Sequence, residues 1–267
     1  MAGSLLLLNH FVTLIVNQVS NGNNPQSQLM KTNLLSRFII VAGISIAFLS
    51  SCDSDCVTGS GNIKQETRKV EDFTKIDVSG NYKIVLAQDS SLSLYISADD
   101  NLLEYIKTSV DGNTLHIKNK NICSDDITVT IGVRNLEEVK ASGAVELSSI
   151  GKIKTGDINL QFSGSTKTTL DLNSARVSTK GSGSTEINLK GQASAHDLDL
   201  SGSGNVNAFD FIVGDYNIAT SGSTDCRINV LRALNVQSSG SSSIQYRGNP
   251  TEVNNHKSGS SSIEKVN

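Results

Sequence analysis

The amino-acid sequence predicts an all-β protein whose repeat half is a single-stranded parallel β-helix, a solenoid with rungs of about 19 residues. Three observations predict it. Seven Ser-Gly pairs recur at steps of 18 to 21 residues, apolar residues alternate with polar ones around most of these pairs, and the 267 residues include only 2 prolines. Alternation with a period of two is typical of strands with one buried face, and scarce proline suits strands that must donate hydrogen bonds to a neighbour.

The repeat is marked by glycines 18 to 21 residues apart, at Gly143, Gly164, Gly183, Gly202, Gly222, Gly240 and Gly259. Around Gly202, for example, Leu198 and Leu200 precede and Val206 and Ala208 follow. An antiparallel sandwich or barrel also contains short strands, but the constant place of the glycine favours stacked rungs about 4.8 Å apart. Each glycine shares the inward parity of its apolar neighbours, so it is predicted to mark a crowded inward position or a bend. The flanking serines would form outward polar ladders.

Residues 30–51 are predicted to be a lipoprotein signal peptide, because basic residues precede a short apolar run. The run ends in Leu49-Ser50-Ser51-Cys52, which resembles a bacterial lipobox and would make Cys52 the lipidated first residue of the mature protein. The alternative is a plain signal peptide with an incidental cysteine. Residues 1–29 resemble translated upstream sequence, and we exclude them from the fold prediction.

The rest of the chain divides into an anchor linker, an N-terminal β-rich part with a short helix, and the Ser-Gly repeats, at residues 52–61, 62–140 and 141–267. The register of the repeats already appears at Ile76–Gly80, and further strands are predicted at Leu115–Ile117 and Ile127–Ile131. In the last repeat the inward positions hold Asn255 and Lys257, which is typical of a polar terminal rung that shields an open sheet edge.

One segment of the N-terminal part breaks the strand pattern. Leu102, Leu103 and Ile106 have helical spacing, and Asp99 or Asp100 could cap the first turn. The sequence therefore predicts a short helix here.

The chain has 4 cysteines, and the lipid site takes Cys52. Cys226 falls in the apolar register of its repeat, which predicts a buried free thiol. Cys56 and Cys123 remain, in an export context where disulfides persist. Either these two form a disulfide or both stay reduced.

The sequence offers little evidence of catalysis. It lacks nucleophile-elbow, zinc-protease, P-loop and dinucleotide-binding motifs, and a net charge of −3 does not suggest a nucleic-acid partner. His116, His196 and His256 are scattered and are predicted to be structural. The acidic pairs Asp99-Asp100 and Asp125-Asp126 are interpreted as a helix cap and a turn, so neither a metal nor a cofactor is predicted.

A glycan-active enzyme is the alternative, because parallel β-helices host lyases and hydrolases that use carboxylates gathered on one face. The candidate carboxylates are Asp197, Asp199, Asp210, Asp215 and Asp225. We interpret them instead as a solvated strand face, since the neighbouring repeat does not carry the first two.

The order of motifs resembles the family described as putative auto-transporter adhesin, head GIN domain. A lipoprotein cysteine is followed by Gly59-Ser60-Gly61-Asn62, then Phe73–Gly80, then Ile96–Leu103, then the Ser-Gly-Ser repeats. The resemblance implies a right-handed parallel β-helix in an exported protein of the kind frequent in Bacteroidetes, and it brings no catalytic residues.

Together these observations predict a non-enzymatic, lipid-anchored protein of the outer membrane or cell surface, with a periplasmic orientation left open. It would act as an adhesin or binding module, using outward Ser, Thr and Asn ladders to hold a glycan or a cell-surface protein. A structural spacer that forms homo-oligomers is the remaining alternative, and no aromatic platform for sugars is evident because Tyr82, Tyr216 and Tyr246 are dispersed.

Overall fold

The computed structural model describes residues 56–89, 92–119, 121–123 and 126–267. In this part the protein is all-β, and one open sheet follows the order β1-β3-β6-β2-β7-β8-β10, with β4, β5 and β9 paired beside this path. The strands are β1 (Ile63–Lys69), β2 (Lys75–Gln88), β3 (Ser93–Asp99), β4 (Ile106–Asp111), β5 (Thr114–Asn119), β6 (Thr128–Val133), β7 (Glu138–Lys154), β8 (Asp157–Arg247), β9 (Glu252–Gly259) and β10 (Ser262–Lys265). None of the described residues form a helix long and apolar enough to cross a membrane.

Strands β1, β3, β4, β5 and β6 pair antiparallel among themselves, whereas β5 and β6 pair parallel with β2. Strand β1 pairs with β3, β3 pairs with β6, and β4 pairs with β5 across a tight turn at Gly112. Cross-strand partners such as Leu94 and Ile131 are buried together, while their neighbours Tyr95 and Thr130 face outward. The strands predicted around residues 115–117 and 127–131 are confirmed.

The strands that carry the Ser-Gly pairs run parallel in the registers between β2, β7, β8 and β9. Gly80 lies opposite Gly143, Gly143 lies opposite Gly164, and Gly240 lies opposite Gly259. Strand β10 also pairs parallel with the end of β8. The prediction that β2 shares the register of the later repeats is therefore confirmed.

Eight glycines stack on one another, and we call them the glycine ladder: Gly80, Gly143, Gly164, Gly183, Gly202, Gly222, Gly240 and Gly259. All have positive φ, and a Cβ added to any of the last seven would overlap the carbonyl oxygen of the preceding glycine. Since most of these glycines are exposed, the crowding comes from the neighbouring backbone, not from the core. Only glycine both adopts a positive φ readily and lacks the Cβ that would overlap this carbonyl oxygen.

The predicted helix between Asp99 and Ile106 is wrong. A single 3-10 turn, Leu103–Tyr105, stands there, and its N-cap Leu102 makes no side-chain capping bond. The carboxylate of Asp100 is occupied elsewhere, because it accepts hydrogen bonds from Ser60 Oγ at 2.6 Å and from Asn62 Nδ2 at 2.8 Å. Because no side chain caps the first turn, no longer helix forms. Strand β4 begins directly after the single 3-10 turn.

Alternate residues of β2, β3 and the repeats of β7 and β8 form most of the interior, as the period of two predicts. Cys226 is buried and reduced, as predicted. At the C-terminal end all residues of β9 are exposed, and Lys257 Nζ donates to the Ser261 carbonyl at 3.3 Å. The signal peptide and Cys52 lie outside the described residues.

Candidate binding surface

The serines on the two sides of the glycine ladder line separate grooves. Ser165, Ser184, Ser203, Ser223 and Ser241 follow their glycines and line a groove of about 690 Å³, which we call the trough. The serines that precede the glycines line two further grooves, of about 480 and 870 Å³. All three grooves are shallow and open, so they offer a surface for an extended partner more than a pocket for a small molecule.

The hydroxyls on the two sides of the ladder differ in their hydrogen bonds. Four of the seven serines before the repeat glycines donate to carbonyls of the preceding repeat: Ser142 to Val78 at 3.3 Å, Ser182 to Phe162 at 3.5 Å, Ser201 to Gly181 at 3.5 Å and Ser239 to Thr220 at 3.4 Å. Within the described ranges, the side-chain hydroxyls of the five trough serines make no hydrogen bond to protein, and all five residues are exposed. The trough therefore presents a row of hydroxyls with both donor and acceptor capacity available.

One wall of the trough carries charges of both signs. Its outer row runs through Lys83, Glu146, Lys167, Glu186, Asn205 and Asp225. Lys167 Nζ lies 3.7 Å from Glu186 Oε1, and Lys83 Nζ lies 3.1 Å from Asp126 Oδ1. Such exposed pairs stabilise little, but they leave the wall nearly neutral. The trough thus shows no strong attraction for a highly charged partner.

A ladder of amides crosses four repeats on the far side of the glycines. Asn217 Nδ2 donates to Asp197 Oδ1 at 2.6 Å, Asn235 to Asn217 at 2.8 Å, and Asn254 to Asn235 at 2.9 Å. The side chains of this predicted outward ladder therefore hydrogen-bond to one another within the protein.

The five carboxylates proposed for an enzyme are not gathered into one site, although Asp197 and Asp199 line a common groove of about 280 Å³. Asp197 accepts from Arg176 at 2.6 Å, and Asp215 pairs with Arg232 at 2.7 Å. Burial alone would raise the pKa of Asp197, but hydrogen bonds from Asn217 and Arg176 hold it below its usual value.

Asp210 and Asp225 lie apart from Asp197 and Asp199. Asp225 lies in the trough wall, Asp199 lies in the grooves across the glycine ladder, and Asp210 is exposed elsewhere on β8. Among the residues that the structure describes, no three His, Cys, Asp or Glu side chains are placed to hold a metal ion. Asp125 lies outside those residues.

The histidines occupy three unrelated places. His196 is fully buried, with its Nε2 at 2.9 Å from Thr179 Oγ1 and its Nδ1 at 2.7 Å from Tyr216 Oη. Burial lowers the pKa of His196 to about 3, so the ring is neutral inside the repeats. His116 Nδ1 lies 2.9 Å from Asp77 Oδ2 on the outer face, and His256 is exposed on β9.

A disulfide joins Cys56 to Cys123, with their Cα atoms 5.4 Å apart. Val57 pairs with Ile122 beside it, so part of the predicted linker at residues 52–61 lies against the sheet. The bond closes a separation of 67 residues, which makes it a staple for the N-terminal part.

Tyr95 is a surface residue that the sequence interpretation missed. Its side chain is 51% exposed on β3, whereas Tyr82 and Tyr216 are buried. The signal was available, because Tyr95 alternates with the apolar Leu94 and Ile96 and must therefore face the opposite side of the strand.

Comparisons with known proteins support the fold. A putative adhesin from Bacteroides fragilis superimposes with a TM-score of 0.70 and 22% identity, covering 79% of this chain and 100% of its own. A putative lipid binding protein from Parabacteroides distasonis gives 0.57 and 22%, covering 79% and 99%. A putative adhesin from Parabacteroides merdae gives 0.55 and 22%, covering 80% and 100%. At these identities the likeness shows the fold alone, and no curated protein matches the chain.

The family model gives the more specific result. The model described as "Putative auto-transporter adhesin, head GIN domain" matches residues 72–250, about two thirds of the chain, and agrees with the resemblance seen in the sequence motifs. The protein therefore belongs to the head GIN domain family of putative auto-transporter adhesins.

Proposed function

We propose that this protein is a non-enzymatic binding module of the cell envelope, which holds a glycan or a cell-surface protein along the trough. The observation that carries the proposal is the row of unpaired serine hydroxyls, one per repeat, beside a nearly neutral wall. Membership of an adhesin-like family supports a place at the cell surface or in the envelope.

The trough suits a long partner because its chemistry repeats. In our proposal the repeats wind as a right-handed single-stranded parallel β-helix, which the parallel registers and the glycine ladder support. Equivalent hydroxyls then recur about every 4.8 Å along the axis. Each hydroxyl contributes little, but a polymer that meets several at once gains by their number.

The chain would reach the membrane through lipid on Cys52. The lipobox-like Leu49-Ser50-Ser51-Cys52 supports this anchor, and two signals or a double acylation would make it stable. Cys52→Ala should move the protein from the membrane to the soluble fraction of cells that express it. Unchanged membrane retention would refute the anchor.

A pair of variants tests the trough itself. Ser203→Arg places a long cation in the trough, whereas the control Ser201→Arg places the same side chain across Gly202, in the other groove. The full-length protein in detergent would be applied to immobilised envelope polysaccharides and surface proteins. We expect Ser203→Arg to weaken capture about tenfold and Ser201→Arg to leave it unchanged.

Three results would overturn the proposal. Equal loss in both variants would show that the trough is not the binding surface. Absence of capture by every polysaccharide and protein would favour a structural spacer, and size measurements would then reveal any homo-oligomer. Cleavage of a polysaccharide during the assay would establish the glycan-active enzyme instead.

A further inference from the structure

We infer that Tyr95 is the aromatic platform on which a sugar ring stacks, so that the partner held by this surface is a neutral glycan. The inference rests on the proposed function and names its ligand class. It places the strongest contact on the antiparallel strands, outside the Ser-Gly repeats.

Tyr95 lies beyond the N-terminal end of the trough, on the same face. The outer wall of the trough begins at Lys83, whose register partner on β6 is Thr128, and Thr128 lies opposite Ser97 on β3. Ser97 and Tyr95 share this face, because side chains alternate along a strand. Strand β3 is two strands from β2, about 10 Å, and through Thr130 the ring aligns with Val85, four residues and about 13 Å along β2 from Asn81, which is in register with the trough serines. A glycan that contacts both the trough and Tyr95 therefore crosses the outer wall obliquely.

The surroundings of the ring are hydroxyl groups. Thr67 and Thr130 lie directly opposite Tyr95 on β1 and β6, and Ser93 and Ser97 flank it on its own strand. The phenol makes no hydrogen bond within the described part of the chain. A sugar ring can stack its C–H face on the exposed aromatic ring, and its hydroxyls can form hydrogen bonds with the hydroxyls around that ring.

The charge around Tyr95 indicates a neutral ligand. Glu66 and Arg68 lie on the opposite face of β1 and bond to each other at 2.7 Å, which leaves Lys69 as the near charge on the face of Tyr95. A single lysine on a flexible stem is a weak basis for selecting an acidic sugar. Because the trough wall is also nearly neutral, we expect uncharged hexose chains to bind in preference to uronic acids.

The same face does not suit a protein partner. Its other large apolar side chain, Ile63, is 66% exposed but stands four residues from Thr67 along β1, about 13 Å away. Two separated apolar side chains fall short of the continuous patch that a specific protein interface requires. A small flat ligand that stacks on one ring needs no such patch.

The test uses two changes at Tyr95 and a matched control. Tyr95→Ala removes the platform, Tyr95→Phe keeps the ring without its hydroxyl, and Tyr105→Ala removes a second exposed tyrosine, on the 3-10 turn. Binding of maltohexaose, cellohexaose, laminarihexaose and a hexamer of galacturonic acid to the full-length protein in detergent would be measured by calorimetry and by saturation-transfer NMR.

We expect at least one neutral hexamer to bind, Tyr95→Ala to weaken it about tenfold or more, and both other variants to bind as the unchanged protein does. Neutral binding that Tyr95→Ala leaves intact would overturn the inference while the proposed function stands. Preference for the acidic hexamer, or silence toward all four, would overturn the ligand class. In that case the comparison of Ser203→Arg with Ser201→Arg still decides the trough separately.

Discussion

The antiparallel strands β3 and β6 and the parallel repeats of β7 and β8 bury one sheet face by different means. In the antiparallel region, aliphatic pairs such as Ile96 and Val129 meet across strands and are fully buried. In the repeats, buried threonines interrupt the interior, and the Oγ1 atoms of Thr166, Thr185 and Thr224 have no hydrogen-bond partner among the described residues. The interior of the repeats thus contains buried hydroxyls without partners, whereas the interior of the antiparallel strands is formed by aliphatic side chains.

The difference shows that side chains specify one region and backbone specifies the other. Aliphatic cross-strand pairs fix the register of the antiparallel strands, since a slip of one residue would expose them. In the repeats the glycine ladder forces each strand to bring the same residue to the same place, because any side chain there meets a carbonyl. The repeat interior can therefore carry hydroxyls without losing register.

Removing one step of the glycine ladder should have the largest effect. Gly202 has a φ of +104°, and a Cβ there would stand 2.5 Å from the Gly183 carbonyl oxygen. We expect Gly202→Ala to lower the free energy of unfolding by about 4 kcal/mol, measured by urea titration. Gly156→Ala is the control, because nothing lies within 4 Å of its added Cβ. A Gly202→Ala variant as stable as that control would contradict the ladder's role.

Reduction of the disulfide should weaken the antiparallel region selectively. The Cys56–Cys123 bond closes a separation of 67 residues, and its loss should cost about 3 kcal/mol. Hydrogen exchange with and without reductant would show faster exchange in β3 to β6 and unchanged exchange in the repeats. Cys226 is already reduced and buried, so the reagent does not act through it. Uniform loss of protection along the chain would mean that the two regions are one cooperative unit.

Acid should weaken the repeats through His196. Burial lowers the pKa of His196 from 6.5 to about 3. Below pH 6.5 the ring therefore becomes protonated in the unfolded chain but stays neutral in the folded protein. The free energy of unfolding should therefore be about 2 kcal/mol lower at about pH 5 than above pH 6.5. His196→Gln, which keeps a polar side chain between Thr179 and Tyr216, should show a flatter decline. An identical pH profile for both proteins would remove His196 as the cause.

The unpartnered hydroxyls should give the smallest effect, with the opposite sign. Thr185→Val removes a buried hydroxyl that has no partner and should raise the free energy of unfolding by about 1 kcal/mol. Thr220→Val is the matched control, because Thr220 Oγ1 bonds Ser238 and Ser242, each at 3.0 Å, and its loss should destabilise. Destabilisation by both variants would show that the hydroxyl of Thr185 is satisfied in solution.

The sequence was sufficient to predict the repeat register, because the spacing of the Ser-Gly pairs indicates which residues of successive repeats lie opposite one another. It failed at residues 98–106, where a helical spacing of Leu102, Leu103 and Ile106 competes with long-range bonds from Ser60 and Asn62 to Asp100. Those bonds cross some 40 residues, and no local pattern shows them.

The candidate surface was only half predictable. Alternation placed both serines of each Ser-Gly-Ser outward, but it treats Ser201 and Ser203 as equivalent. They differ because the carbonyl that receives the Ser201 hydroxyl belongs to the preceding repeat, on one side of the glycine only. Tyr95 was readable from alternation with Leu94 and Ile96.

The most direct test of the account is the distance between spin labels on successive repeats. Cysteines introduced at Ser184, Ser203, Ser223 or Ser241, each paired with one at Ser165, would be labelled in a Cys52→Ala background; all five serines are exposed, and Cys226 is buried. Parallel stacking predicts Cα separations that grow steadily, by about 4.8 Å per repeat. Separations that rise and fall along the series would mean strands of alternating direction, and the glycine ladder could not exist.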